Sequence, residues 1–132
     1  GAIMGITRGT NKSHIARAAL EAIALRSMEI INEMEKDSGT KFNSLKVDGG
    51  ASNNNLLMQI QSNFLGSDVI RPKITETTAL GVAFLSGLAT GFWSSVEELK
   101  ETWVIDQEFK SKSSDYDKKV INNWRKRIKK IQ

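Results

Sequence analysis

The chain has 132 residues, no cysteine and a single histidine, His14, which excludes a disulfide framework, a thiolate metal centre and any site built from several histidines. Apolar residues make up 39% and charged residues 26%, the proportions of one soluble domain with its own core and not of a disordered or fibrous chain. The net charge of +4 is unevenly placed: residues 114–132 hold seven Lys and Arg against two Asp, a net +5, and the rest sums to −1. The basic character is thus a property of the terminal segment, where a solvated helix face explains it and no nucleic-acid partner is expected. Lack of cysteine fits a reducing, cytoplasmic setting. The chain opens on Gly1 with no basic-then-apolar leader, and it reads either as a processed chain or as a piece of something longer.

In chain order, Ile3, Met4 and Ile6 alternate loosely with glycines and predict a short strand, followed by a turn at Thr7-Arg8-Gly9-Thr10. Ser13 is the predicted N-cap of a long helix running from His14 to about Lys36, rich in alanine, with Arg17 and Glu21 as an i,i+4 pair and Gly39 as its stop. Beside that cap, His14 is read as a structural residue rather than a proton shuttle. Leu45 to Val47 predicts a short buried strand that ends in Asp48-Gly49-Gly50. A helix from about Ser52 to Leu65 follows, with Leu56, Leu57, Ile60 and Phe64 apolar and Gly66 as its stop. Asp68 to Arg71 predicts another strand, ended by Pro72, which has no place in a central ladder.

Thr78 to Trp93 is the most apolar run, too short at 16 residues to span a bilayer, and predicts a buried helix through Thr90 capped at its end by Gly91. Ser95-Val96-Glu97-Glu98 reads as a capping box for a short helix, and Trp103 to Phe109 as an extended or irregular arm. The last helix, within residues 113–132, is capped at Ser114 and carries the stripe Tyr116, Val120, Trp124, Ile128 and Ile131. The order β-α-β-α-β-α-α predicts an α/β fold with a mostly parallel sheet. Three strands are few for such a sheet. Its uncovered edges imply that the chain associates with copies of itself as a homo-oligomer.

The stretch that carries candidate chemistry is Asp48-Gly49-Gly50-Ala51-Ser52-Asn53-Asn54-Asn55. A strand, a glycine turn and a helix N-terminus let a phosphate or sugar approach bare backbone, and two glycines permit positive φ. A plain tight turn explains the same residues, with Asp48 fixing the turn and the asparagines capping and solvating the helix. The loop matches neither the G-x-x-x-x-G-K-[ST] nor the G-x-G-x-x-G pattern. No pair of carboxylates has a spacing suited to general acid–base work, so no catalytic or metal-binding residue is assigned.

Longer patterns do point to a family. Gly1-x-Ile3-x-Gly5-Ile6, seven residues, then His14-Ile15-x-x-Ala18-Ala19-Leu20-Glu21 resembles a signature of the FGGY carbohydrate kinases at every defined position. The segments V-D-G-G-A-S-N-N-N-L-L-M-Q and E-T-T-A-L-G-V-A-F-L-S-G-L-A-T-G-F-W, with G-I-T-R-G-T and D-Q-E-F, resemble the glycerol kinase branch more closely than the sugar kinases. The resemblance covers essentially the whole chain, which would be the C-terminal quarter of the family's length. It implies an actin-like, ribonuclease-H-like fold that closes over ATP or ADP, Mg2+ and a polyol. On that basis residues 1–132 are the C-terminal segment of the nucleotide-side domain. The nucleotide contacts fall on Gly50 and Asn54, with Gly49 and Asp48 shaping the loop. The catalytic base, the metal ligands and most glycerol contacts lie upstream of Gly1, and no membrane span is expected. A xylulokinase-like sugar kinase, or a non-catalytic actin-like module, are the alternatives.

Overall fold

A computed structural model describes residues 1–129 of the chain. Its architecture is built around one short helix, α2 (Asn55–Leu65). Leu57, Met58, Ile60 and Phe64 repeat at helical spacing, so one face of α2 is apolar and all four are buried. That face meets Ala24, Leu25 and Met28 of α1 (Lys12–Ser38), and Val69 and Phe109 of the sheet complete the core. Val120, Ile121 and Trp124 of α5 (Asp115–Ile128) pack against its rim.

The sheet has three strands in the order β1 (Ser44–Lys46), β2 (Asp68–Pro72), β3 (Ile105–Phe109). β1 and β2 run parallel, with Leu45 opposite Val69. β2 and β3 run antiparallel, with Ile70 opposite Glu108. Two more helices, α3 (Thr77–Thr90) and α4 (Val96–Glu101), connect β2 to β3. The α/β class holds, but the sheet is mixed and not mostly parallel, and the observed order is α-β-α-β-α-α-β-α.

One expected strand is absent and one extended arm proves to be a regular strand. Residues 1–6 form no strand: they are exposed, no neighbouring strand is there to accept their backbone bonds, and Gly5 at φ 83 breaks the extended run. The extended arm near 103–109 is regular from Ile105, where it becomes β3 and pairs with β2. Its residues Asp106, Gln107 and Glu108 are polar because that strand is exposed except at Phe109, so no apolar alternation marked it. Pro72 does sit on the central strand. The ladder between β2 and β3 slips between Arg71 and Pro72, so the missing proline N–H falls where regular pairing is already interrupted.

Helix ends follow local chemistry with two shifts. Asn11, not Ser13, caps α1: its Oδ1 accepts from the Ser13 and His14 amides at 3.0 and 3.2 Å, while the Asn11 amide donates to His14 Nδ1 at 3.3 Å. His14 is thereby a capping residue. α2 starts at Asn55, because Gly50–Asn53 form a 3-10 turn ahead of it. Gly39, Gly66 and Gly91 close their helices in the left-handed conformation, as expected. Ser95 caps α4 by accepting from the Glu98 amide, but Glu98 returns its bonds to Ser94, one residue earlier, and the Ser94 amide holds the Glu98 carboxyl below its usual range.

The long pairs in the sequence are present. Arg17 Nε lies 2.7 Å from Glu21, and the Tyr116 hydroxyl of α5 donates to the same carboxylate at 3.0 Å. Burial, and then that bond, push the Tyr116 hydroxyl above its usual value. Val120 and Trp124 of the α5 stripe face the core, whereas Tyr116 is largely exposed and Ile131 lies outside the described residues. Lys110 bridges Asp68 and Glu108 at 2.9 and 2.8 Å and, with the Ser111 amide, lowers the Asp68 carboxyl.

α3 departs from expectation. It is apolar on all sides, yet Gly87 is its only buried residue, and Val82, Leu85 and the adjoining Phe92 are 66%, 71% and 76% exposed. Gly87 is buried because Trp93 folds back over it, edge-on to Phe84 and Phe92 at 5.3 and 4.9 Å between ring centres; a methyl group at Gly87 would overlap the indole. No helix among the described residues is long and apolar enough to cross a membrane.

Candidate functional site

The end of β1 delivers the glycine loop to a fixed place. The Val47 amide donates to the Ile70 carbonyl at 3.0 Å, which extends the parallel pairing up to Asp48. Asp48 then accepts the hydroxyl of Thr77, the first residue of α3. The Gly49 amide donates to the Thr75 carbonyl at 2.8 Å. Two helix N-termini, those of α2 and α3, are therefore tied to one turn, and both bring amide groups and partial positive charge to it.

The two glycines differ. Gly49 has φ 77 and ψ 170, a region that is essentially closed to residues with a Cβ. The Gly49 carbonyl accepts from the Ser52 amide at 3.1 Å and the Ser52 hydroxyl at 2.7 Å, which folds Gly50–Asn53 into its 3-10 turn. Gly50 has ordinary negative φ and an added Cβ would meet open space. Nothing among the described residues requires glycine there.

The three asparagines divide their work. Asn54 is the N-cap of α2: its Oδ1 accepts the Leu57 amide at 3.0 Å. The side chain is exposed, and its Nδ2 donors make no hydrogen bond among the described residues. Asn55 Oδ1 accepts from Arg71 at 2.8 Å. Asn53 is exposed at the end of the 3-10 turn. Capping thus accounts for one face of Asn54 and leaves its amide donors pointing away from its own backbone bond.

Asp48, Gly49, Gly50 and Asn54 are brought together on one exposed turn. Thr75, Thr77 and Arg71 hold that turn; the sequence offers Thr75 to Thr78 only as N-cap candidates for α3, which is capped at Glu76 with no side-chain bond, and Arg71 only as the end of a strand before a proline. A cleft of about 710 Å3 lies elsewhere, between Glu29, Lys36 and Arg125, and none of the loop residues lines it. The loop is a single open wall.

Residues 1–90 match the C-terminal domain of the FGGY family of carbohydrate kinases, and the chain belongs to that family. Among its relatives, glycerol kinase 2 of Sulfolobus acidocaldarius is 52% identical over 98% of this chain and 26% of its own length. The glycerol kinase of Clostridium beijerinckii is 52% identical over 100% of this chain and 27% of its own. The chain therefore spans about a quarter of the length of these relatives. Plasmodium falciparum glycerol kinase with ADP superposes with a TM-score of 0.84 at 35% identity, over 98% of this chain and 26% of that one. A xylulose kinase from Lactobacillus acidophilus, at 21% identity and a TM-score of 0.70, shares the fold alone. The fold is the actin-like, ribonuclease-H-like one of these kinases, of which this chain is a part.

The two glycines separate experimentally. Gly49→Ala is expected to lower stability by about 1–3 kcal/mol through backbone strain, and Gly50→Ala to change it by less than about 0.5 kcal/mol. Chemical denaturation of both variants checks this; equal losses would mean that Gly50 also serves the fold.

Proposed function

We propose that residues 1–132 are the C-terminal segment of the nucleotide-side domain of an ATP-dependent glycerol kinase, which converts glycerol to glycerol 3-phosphate in the cytoplasm. The observation that carries this reading is Gly50. It stands on the exposed turn between two helix N-termini with open space at its side, so a ligand can come close to the chain there. The glycerol kinase relatives, and the ADP named with one superposing structure, support the choice of ligand.

The turn fits an adenine nucleotide. Gly50 leaves backbone accessible, Asn54 offers amide donors to a ribose or base, and Gly49 and Asp48 hold the loop in shape. Two helix N-termini add favourable charge for a phosphorylated ligand. ATP supplies the phosphoryl group when bound, and Mg2+ ligands, the catalytic base and most glycerol contacts are assigned to the parent outside this segment. These residues do not act on the reacting atoms. They set where the nucleotide sits, and phosphoryl transfer depends on such positioning.

Asn54 has two roles, and a cap-preserving variant separates them. Asn54→Ser keeps an acceptor for the Leu57 amide and removes the Nδ2 donors; Asn54→Ala removes both. Calorimetric titration with ADP should show both variants weakened about 2- to 10-fold, the worth of one hydrogen bond. Only Asn54→Ala should also lose about 0.5–2 kcal/mol of stability. Wild-type ADP affinity in Asn54→Ser would remove the Asn54 amide from the site.

The 132-residue chain alone, given ATP, Mg2+ and glycerol, is expected to form no glycerol 3-phosphate. Clear turnover by a coupled assay would place the catalytic groups within these residues after all. The same chain is expected to self-associate, because the β1 edge and the apolar flank of α3 are uncovered. Sedimentation should show mass rising with concentration, and a clean monomer at high concentration would contradict this.

A further inference from the structure

Arg71 is a buried charge beside the loop. It lies on the central strand, 8% exposed, and every nitrogen of its guanidinium meets an acceptor. Nε donates to Asp106 Oδ2 at 2.8 Å, and Nη2 lies 2.7 Å from the same oxygen. Nη2 also donates to Gln107 Oε1 at 3.2 Å. Nη1 donates to the Ser52 carbonyl at 2.7 Å and to Asn55 Oδ1 at 2.8 Å. The ring of Phe109 lies 5.5 Å from the guanidinium carbon. A planar fork with five fixed donors suits this set of partners, and a lysine could not reproduce it.

The partners fall on two sides. Asp106 and Gln107 belong to β3, whereas Ser52 and Asn55 flank Asn54 on either side in the sequence. Ser52 in turn grips the Gly49 carbonyl through its hydroxyl and amide. One end of the loop is thus anchored at Gly49, by Thr75 and Ser52, and the other at Ser52 and Asn55, by Arg71. Gly50 and Asn54 lie inside that frame.

The structure assigns Arg71, with Asp106, as the positioning pair of the nucleotide loop: Arg71 places Gly50 and Asn54 by holding the residues beside them, and Asp106 orients Arg71. Arg71 does not touch the nucleotide itself, because its nitrogens are already matched and its charge is opposed by Asp106. Asp106 lies beyond residues 1–90, the span of the family match, so the clamp reaches across the strand that closes the sheet. This inference rests on the nucleotide reading of the loop.

The test uses the full-length kinase that contains this chain, with KM for ATP, KM for glycerol, kcat and thermal midpoint measured together. Arg71→Met should raise KM for ATP by about tenfold or more and leave kcat and KM for glycerol within about twofold, the pattern of a binding loop displaced without loss of the reacting groups. Arg71→Lys should restore much of the thermal midpoint but not KM for ATP. Where Arg71→Met does not fold, Asp106→Asn and Asn55→Ala, both at exposed positions, should each raise KM for ATP severalfold in the same pattern. A lowered midpoint with unchanged KM for ATP, or a parallel loss in all three kinetic constants, overturns the assignment and leaves Arg71 as a core ion pair. A wild-type enzyme that binds neither ATP nor ADP in a calorimetric titration overturns the nucleotide reading instead, so the two failures are distinguishable.

Discussion

Burial of one face of α2 is the constraint on which the rest of the chain depends. Leu57, Met58, Ile60 and Phe64 are each nearly inaccessible, and roughly 1.5–3 kcal/mol accompanies the burial of each such side chain. α1, the sheet and α5 all pack against that helix or its rim. Because packing fixes the axis and rotation of α2, it also fixes where the helix begins. The residue that caps that start is Asn54, so the position of the candidate site follows from the position of the core.

The loop itself is held by polar bonds that join elements far apart in sequence. Gly49 bonds to Thr75, Asp48 to Thr77, and Arg71 to Ser52, Asn55 and Asp106. Each bond links the loop to an element that the core has already placed. Removing Arg71 would leave the carbonyl of the buried residue Ser52 without its partner, a cost that an exposed bond would not carry.

Much of the local structure was legible in the sequence. Apolar spacing marked α1, α2 and α5, glycines marked three helix ends, and Asp48-Gly49-Gly50 marked the turn that ties together two helix starts. The misses share a cause: each depended on a partner that local sequence does not reveal. β3 has polar residues because only Phe109 faces the core, and its pairing to β2 comes from tertiary contact. Residues 1–6 have strand-like spacing but no strand beside them. Pro72 is tolerated centrally only because the ladder slips there. α3 reads as a buried helix and is left uncovered by this chain. For the site, the turn was visible and its two readings were not separable; the longer family pattern chose between them. The Arg71 clamp was invisible because its partners lie in two stretches, 52–55 and 106–107, far from Arg71 and from each other in the sequence.

The central claim is that an adenine nucleotide lies against Gly50 and Asn54. Titration of ADP into isotope-labelled protein, followed by the shifts of backbone amide resonances, tests it most directly. Saturable shifts concentrated at residues 48–55 and 75–77, reduced in Asn54→Ser, are the predicted result. Saturable shifts confined to other surfaces, such as the cleft beside Lys36 and Arg125, or no saturable shift at all, would contradict it.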